Sequence, residues 1–306
     1  MAEAKKKVLV TGASGMTGRA LLRELQGRGF EVVGCALSRA KGAVVKLDLL
    51  DGGAVAEAFA EIKPDAVVHC AAERRPDVSE KEKEFTTAIN VTAAESLAKL
   101  CSGTGAAMVQ LSTDYVFDGT QPPYAPAAAP HPLQFYGESK LQGERAVLAA
   151  CPGSACVLRV PVLYAEDIES LDESATTVIA SAVLSGRPAA VDDWGKRYPT
   201  NTKDLAACIG NLLEYHFGGA AAGGIGGKVF HFANNEVQFT KFTIAALIGE
   251  VLGVPTGHLT SDPNAPQGAL RPRDTQLDTS ALEALGLMPP LTPLREGLLA
   301  ACSRFK

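Results

Sequence analysis

The sequence KVLVTGASGMTG, residues 7–18, joins a short apolar run to a glycine-rich turn close to the start of the chain. Residues 7–10 predict a buried strand, and residues 16–28 predict the helix that follows the turn. The glycines have the spacing G-x-x-G-x-x-G, which lets the backbone approach a pyrophosphate at the positive end of a helix. A glycine-rich connector can also serve packing alone, but its position between a strand and a helix favours dinucleotide binding. The residues predicted to line this turn are Gly12, Ser14, Gly15, Met16 and Gly18.

The rest of the first half alternates short β-branched runs with longer helical patterns. Further strands are predicted at residues 31–35, 43–47, 65–69 and 107–111, and a long helix between the last two ends near Cys101. Strands separated by helices of this length require right-handed crossovers and a parallel sheet. The predicted fold class is therefore α/β, a Rossmann-type doubly wound parallel sheet with ligands at the carboxyl ends of the strands.

The pattern changes after Tyr164. Residues 165–199 are first acidic and then helical, residues 229–232 predict a strand that rejoins the sheet, and the chain from Glu236 is mostly helical. We expect a cofactor domain of residues 1–164, to which residues 201–235 return, and a smaller, interleaved C-terminal substrate lobe of residues 165–200 and 236–306. The glycine-rich residues 218–227 predict a flexible surface loop.

Composition excludes several classes of function. The formal net charge of the 306 residues is -5, so no global field favours nucleic acid or an anionic membrane. The N-terminal sequence predicts no signal peptide, and no run of 18 apolar residues suggests a membrane span. The seven cysteines are scattered without a C-x-x-C pair, which indicates buried thiols in a reducing, cytoplasmic setting. The five histidines lack metal-ligand spacing, so no metal is predicted.

The end of the second predicted strand indicates which dinucleotide binds. An acid there would bind the 2′-hydroxyl of NAD, whereas this chain has Ser38 and Arg39, which suit the 2′-phosphate of NADP. An ordinary solvated arginine on a loop is the alternative interpretation. Asp48, followed by Leu49, is expected near the adenine, and the small Ala71 and Ala72 leave room for a ribose.

A catalytic constellation is predicted from Thr113, Tyr136 and Lys140. The Tyr and Lys are four residues apart, hence on one face of a helix, and a nearby ammonium is expected to lower the pKa of the phenol. Y-x-x-x-K occurs by chance in many helices, but Thr113 lies at the end of the fifth strand, where a hydroxyl can polarise a carbonyl. Together the three suit hydride transfer from NADPH to a ketone.

The chain resembles the extended short-chain dehydrogenases of the dTDP-4-dehydrorhamnose reductase group. The stretches that carry this resemblance are the glycine turn, STDYVFDG (112–119) and YGESK (136–140). More closely, it resembles the family of beta, regulatory subunits of methionine adenosyltransferase, which share that fold. The distinguishing stretches are HCAAERRPDV (69–78), DYVFDGT (114–120), ESA (173–175), WGKRYPT (194–200), RPR (271–273) and QLD (276–278).

The resemblance implies a non-catalytic role, in which NADP(H) is bound and the chain associates with the catalytic subunit that makes S-adenosylmethionine. It also implies that Glu73, Arg74 and Arg75 border the cofactor cleft, with Asn90 among the cofactor contacts. The opposite, substrate-lobe side would be lined by Arg197, Thr200, Arg271 and Arg273. A cluster that includes Arg74, Arg197 and Arg273 could hold an anion such as a nucleotide-sugar pyrophosphate. One departure is the loop at residues 123–130, which lacks the acidic residues usual in the reductases.

Three functions remain open from the sequence. The first is an NADP-binding regulatory subunit of methionine adenosyltransferase, favoured by the AERRPDV stretch and by a match along nearly the whole chain. The second is an NADPH-dependent reductase of a 4-keto nucleotide sugar, which the intact Thr113, Tyr136 and Lys140 allow. The third is a cofactor-sensing protein without a stable partner. Homo-oligomerisation is possible in each case.

Overall fold

The computed structural model describes residues 5–218, 224–265 and 267–306. Its strands are β1 (Lys7–Thr11), β2 (Glu31–Ala36), β3 (Val45–Lys46), β4 (Ala66–His69), β5 (Ala107–Thr113), β6 (Ala155–Val160), β7 (Leu163–Tyr164), β8 (Ala189–Asp192), β9 (Thr200–Asn201), β10 (Val229–His231) and β11 (Leu259–Asp262). Its α-helices are α1 (Met16–Gly27), α2 (Gly52–Ile62), α3 (Pro76–Ser79), α4 (Lys83–Thr87), α5 (Ala93–Thr104), α6 (Phe135–Ala150), α7 (Ile179–Ser185), α8 (Thr202–Phe217), α9 (Lys241–Leu252), α10 (Ser280–Ala284) and α11 (Leu294–Cys302).

Seven strands form one parallel sheet in the order β10-β6-β5-β4-β1-β2-β3. The chain starts in the middle, at β1, and first moves to β2 and β3 before it crosses back to β4. The crevice at the carboxyl end of β1 therefore lies at the point where the strand order reverses, which is where doubly wound sheets bind their ligands. This topology confirms the predicted Rossmann-type fold.

Successive side chains of each strand point to opposite faces of the sheet and pack into two apolar layers, one on each face. In β1, Val8 and Val10 face a core built with α1 and α8, whereas Leu9 faces a second core with α2, α5 and α6. Every residue of β4 and β5 is buried, as expected for strands that are covered on both faces. The sheet is thus a rigid support whose carboxyl edge is free to carry a site.

A third apolar cluster stands apart from the sheet. It is formed by α7, α9 and α11 together with residues after β7, and the parallel pair β8–β11 lies beside it. Ile168 and Ile248 are fully buried in it, and Met16 of the glycine turn packs against it. The helix α10 differs in that its Leu282 belongs to the cluster around α1 and α8.

Several elements differ from the sequence predictions. The strand β6 was not predicted, because its apolar run is interrupted by the charged Arg159. The strands β8 and β11 were also missed in segments expected to be mostly helical. The third strand covers only two of the five predicted residues, so Asp48 lies in a turn after the strand rather than at its end. Of the predicted loop at residues 218–227, residues 219–223 lie outside the described part of the chain.

Candidate cofactor and active site

The glycine turn brings three backbone segments so close together that no side chain fits between them. Gly12 has φ +65°, and a Cβ there would lie 2.9 Å from the Ala71 nitrogen. A Cβ on Gly18 would overlap the carbonyl oxygen of Gly12 and lie 2.5 Å from the Ala13 Cα. The helix α1 begins directly after Gly15 without a side chain that caps its first amides. Bare N–H groups at the positive end of a helix fit a phosphate group.

Thr11, at the end of β1, ties this turn to the neighbouring strand β4. Its hydroxyl accepts hydrogen bonds from the Cys70 and Ala71 nitrogens at 3.2 and 3.3 Å, and it lies 2.7 Å from Nδ1 of His69. Burial, aided by the charge of Lys140, lowers the pKa of His69 to about 3, so the ring is neutral. Ala71 is thereby held beside the glycine turn, and the room that it and Ala72 are expected to leave for a ribose stays a prediction.

The opposite end of the cleft carries the residues predicted for the adenosine. Ser38 and Arg39 follow β2 on the surface, and Arg39 makes no hydrogen bond or ion pair within the described residues. Its guanidinium is therefore available to an anion. The Asp48 carboxylate accepts a hydrogen bond from the Leu50 nitrogen at 2.9 Å, which fixes the turn that holds Leu49.

Thr113 and Tyr136 lie side by side at the carboxyl edge of the sheet. The Thr113 hydroxyl donates to the Asp114 carboxylate at 3.1 Å. Burial raises the pKa of Tyr136 above its usual range, and the adjacent Thr113 hydroxyl and the Arg74 charge only partly oppose this. The expectation that an ammonium lowers this pKa is not met, because burial dominates and the positive charge that opposes it is that of Arg74 rather than that of Lys140.

Lys140 lies one helical turn after Tyr136 on α6 but points into the sheet. Its ammonium donates to the Leu111 carbonyl of β5 at 2.7 Å. Burial lowers the pKa of Lys140 to about 8, against the opposing charge of Glu144. The ammonium has two further protons that this bond does not use.

A buried amide connects the catalytic helix with the wall of the cleft. Asn90 accepts a hydrogen bond from the Glu73 nitrogen at 2.9 Å and donates to the Glu73 carbonyl and the Ser139 hydroxyl, both at 3.0 Å. Asn90 lies in a π-helical turn, Ala88–Thr92, a distortion that is frequent at functional sites. The Glu73 carboxylate is buried, which alone would raise its pKa, but the hydrogen bonds and charge of Arg75 hold the pKa below its usual value.

The predicted substrate-lobe residues are only partly brought together. Arg197 is 7% exposed, and one of its guanidinium nitrogens has no partner among the described residues. Arg197 and Arg271 are both close enough to Tyr115 for their charges to oppose the burial that raises its pKa. Arg271 is paired with Asp77 at 2.6 Å, and Arg273 is exposed. The Thr200 hydroxyl is fully buried, donates to the Tyr198 carbonyl and accepts from the Asn234 nitrogen, both at 3.0 Å.

Sequence reasoning missed two buried links around this site. The Thr275 hydroxyl donates to the Asp114 carboxylate, which ties the end of β5 to a loop 161 residues away. Glu144 forms a two-bond ion pair with Arg159 at 2.9 and 2.7 Å directly beneath the strand ends. The charged Arg159 within an apolar run was the available signal, but its partner is visible only in three dimensions.

Other site types have no support in the described part of the chain. No group of three or more His, Cys, Asp or Glu side chains is arranged to hold a metal ion within residues 5–218, 224–265 and 267–306. Among the helices of those residues, none combines the length and apolar character needed to cross a bilayer.

The fold and the glycine-turn site define a family. Residues 6–306 match the family model described as RmlD substrate binding domain, so the chain belongs to that family. It is 43% identical over 295 residues to methionine adenosyltransferase 2 subunit beta of Xenopus tropicalis, covering 96% of this chain and 86% of the relative. It is also 35% identical to a dTDP-4-dehydrorhamnose reductase of Streptomyces griseus, covering 97% and 94%. The resemblances indicated by the sequence are thus confirmed.

Solved structures agree with this assignment. A dTDP-4-dehydrorhamnose reductase from Clostridium acetobutylicum superimposes with a TM-score of 0.83 at 26% identity, covering 98% of this chain and 99% of the other. A dTDP-4-dehydrorhamnose reductase from Bacillus anthracis, solved in complex with NADP, has the same fold, with a TM-score of 0.81 at 24% identity. The match covers 98% of this chain and 99% of the other.

Proposed function

We propose that this chain is an NADP(H)-binding regulatory (beta) subunit of methionine adenosyltransferase that modulates S-adenosylmethionine synthesis. The observation that carries the proposal is the 43% identity to a methionine adenosyltransferase 2 subunit beta along 96% of the chain. The partner is then the catalytic subunit of that enzyme. A reductase relative matches over a similar length at only 35% identity, which makes it the second candidate.

NADP(H) is the cofactor we propose, and the geometry of the cleft fits it. The glycine turn and the uncapped start of α1 suit its pyrophosphate, and the free guanidinium of Arg39 with Ser38 suits its 2′-phosphate. Asp48 and Leu49 would border the adenine. Lys140 and Tyr136 would hold the nicotinamide ribose, beside a wall of Ala71, Ala72, Glu73, Arg75 and Asn90. When bound, NADPH supplies a hydride.

A reductase activity on a 4-keto nucleotide sugar is the alternative proposal. It is favoured by Thr113, Tyr136 and Lys140, which are all present at the carboxyl edge of the sheet. Thr113 would polarise the carbonyl and Tyr136 would donate the proton. Arg74, Arg197, Arg271 and Arg273 would face the pyrophosphate of such a substrate. The Tyr136 phenol is protonated at neutral pH, as a proton donor must be, and the burial that raises its pKa makes it a weaker acid than an exposed tyrosine.

Association with the catalytic subunit is the experiment that tests the first proposal. The two purified proteins are mixed, passed over a size-exclusion column and assayed together for S-adenosylmethionine synthesis. Co-elution with a change in the KM or kcat of the catalytic subunit is expected. Separate elution and unchanged kinetics at micromolar concentrations of both proteins would exclude a regulatory subunit.

The alternative has its own test, in which Tyr136→Phe is the informative variant. NADPH consumption is followed with a 4-keto-6-deoxy nucleotide sugar as substrate. A reductase would consume NADPH and lose that activity in Tyr136→Phe. A regulatory subunit would not consume NADPH, and its Tyr136→Phe variant would still change the kinetics of the catalytic subunit.

We also propose the division into a cofactor domain, residues 1–164 and 201–235, and a substrate lobe, residues 165–200 and 236–306. It is supported by separate apolar clusters around the sheet and around α7, α9 and α11. A cytoplasmic location is supported by the seven cysteines, all of which are free thiols. Homo-oligomerisation stays a prediction.

A further inference from the structure

Two stretches that distinguish this sequence, residues 73–78 and 173–175, are in contact with each other, and this contact has no role in the proposed function. Arg74 donates a hydrogen bond from Nη2 to the carbonyl oxygen of Glu173 at 3.1 Å. Burial raises the pKa of Tyr136 overall, but Arg74 is close enough for its charge to lower it. The contact between the two stretches therefore lies near the Tyr136 phenol.

Glu173 also reaches the other wall of the cleft. Its carboxylate accepts a hydrogen bond from Nη2 of Arg19 at 2.8 Å, and the same guanidinium donates from Nη1 to the Ser14 carbonyl of the glycine turn at 3.1 Å. Burial would lower the pKa of Arg19, yet the hydrogen bond and charge of Glu173 raise it on balance. One residue thus joins the glycine turn to the loop after β4.

Residues 165–174, which we call the strap, contain a tip that is less buried than the residues on either side of it. The tip, residues 169–173, is exposed or half-buried, and it lies between Ile168, which is fully buried, and the buried Ser174. An open cavity of about 570 Å³ is lined partly by Glu166 and Asp167 of the strap. The tip is therefore anchored at both ends, and between them Leu171 packs against the cluster of α7, α9 and α11 while Glu173 makes the polar contacts described above.

We propose that the strap is a latch over the cofactor cleft, closed by Arg74 and Arg19 on Glu173, and that it controls how fast NADP(H) leaves. The inference rests on the proposed function in that it takes the glycine turn as the cofactor site. A closed latch links the Ser14 carbonyl of the glycine turn, through Arg19 and Glu173, to Arg74 in the loop after β4. Its contacts are within the protein, so opening it changes the rates of binding and release more than the affinity.

Stopped-flow fluorescence of NADPH tests the latch. In Arg74→Ala and in Glu173→Gln the dissociation rate should rise about three- to five-fold, as expected for the loss of one partly exposed charged contact. The association rate should rise with it, so that Kd changes less than the dissociation rate. Asp172→Asn is the control matched to Glu173→Gln, since it removes the same charge from the same turn at an exposed side chain that is bonded to neither Arg74 nor Arg19.

Amide hydrogen exchange supplies a readout that needs no cofactor. Exchange at residues 169–174 should be faster in Arg74→Ala than in the wild type or in Asp172→Asn, while α1 and β5 stay unchanged. If Arg74→Ala changed neither the exchange at residues 169–174 nor the NADPH dissociation rate, the latch would be overturned, but the proposal that NADPH binds at the glycine turn would still stand. If the wild-type protein bound no NADPH at all, the proposed cofactor site itself would fall, and the latch with it.

Discussion

Gly18 and Gly27 lie in the same helix, α1, and differ in the space around them. A Cβ on Gly18 would meet the backbone of Gly12 and Ala13, whereas a Cβ on Gly27 would meet nothing within 4 Å. We expect Gly18→Ala to destabilise the protein by about 3 kcal/mol and to abolish NADPH binding, because backbone atoms cannot give way like a flexible side chain. Gly27→Ala should stabilise it by about 0.5–1 kcal/mol. Urea unfolding of both variants measures the difference, and similar effects of the two would contradict this account of the turn.

Arg39 is predicted to decide between the two dinucleotides. In Arg39→Glu the carboxylate repels the 2′-phosphate, so NADPH should bind about 10- to 100-fold more weakly, while NADH should bind equally well or better. Calorimetric titration with both cofactors measures the ratio. Arg145→Glu, the same change at an exposed position of α6, serves as the control. An equal loss of affinity for NADPH and NADH would mean that Arg39 does not contact the 2′-phosphate.

Asp114 makes the free energy of unfolding depend on pH, with a sign that is unusual for a carboxylate. Burial raises its pKa from 3.8 to about 6, although the Thr275 hydroxyl and the charge of Arg197 oppose the shift. The folded protein therefore holds a proton that the unfolded chain releases, and this contribution to stability is complete below pH 3.8 and is lost as the pH rises through about 6.

The free energy of unfolding should reveal this loss when the wild type is compared with Asp114→Asn. Between pH 4 and 6.5 the wild type should lose on the order of 2 kcal/mol relative to the variant, since one pKa unit corresponds to about 1.4 kcal/mol and pH 4 already lies above the unfolded pKa of 3.8. Urea unfolding at several pH values measures the two profiles. Parallel profiles would show that Asp114 does not titrate in this range.

At the scale of elements, an ion pair between α6 and β6 supports the catalytic helix. Glu144 and Arg159 are each at most 4% exposed and share two hydrogen bonds. Glu144→Gln should cost about 3–5 kcal/mol, because it leaves the Arg159 charge buried without a partner. Adding Arg159→Met should recover part of that loss. The control is Glu138→Gln on the exposed face of α6, which should change stability in urea unfolding by less than about 0.5 kcal/mol. If Glu144→Gln and Glu138→Gln destabilised the protein equally, the ion pair would have no special role.

The elements also show where sequence reasoning succeeds and where it stops. Strands β1, β4 and β5 were predictable because both of their faces are covered, which makes them nearly continuous apolar runs that only Gln110 of β5 interrupts. Strand β6 was not, because Arg159 breaks its run and is compensated by a residue on another element. The spacing of Tyr136 and Lys140 correctly indicated one helix, α6. Their electrostatics depend on burial and on Arg74, which no local pattern contains.

At the scale of the whole molecule, the cofactor cleft lies between two apolar cores. Met16 belongs to the glycine turn and packs against the cluster of α7, α9 and α11, while Ala20 and Leu21, further along α1, belong to the core on the sheet. The strap adds polar links between the same two bodies through Arg19 and Glu173. A ligand that orders the turn is therefore expected to stabilise both cores together rather than the sheet alone.

NADPH should accordingly raise the stability of the entire chain in one transition. At a concentration 100 times its Kd, a ligand that binds only the folded state adds about 2.7 kcal/mol, which for a chain of this length raises Tm by about 4 °C. Differential scanning calorimetry with and without NADPH measures the shift, and NADH at the same concentration should give a smaller one. A reducing agent should leave Tm unchanged, because the seven thiols are already free. Two transitions of which NADPH moved only one would show that the cofactor does not couple the two cores.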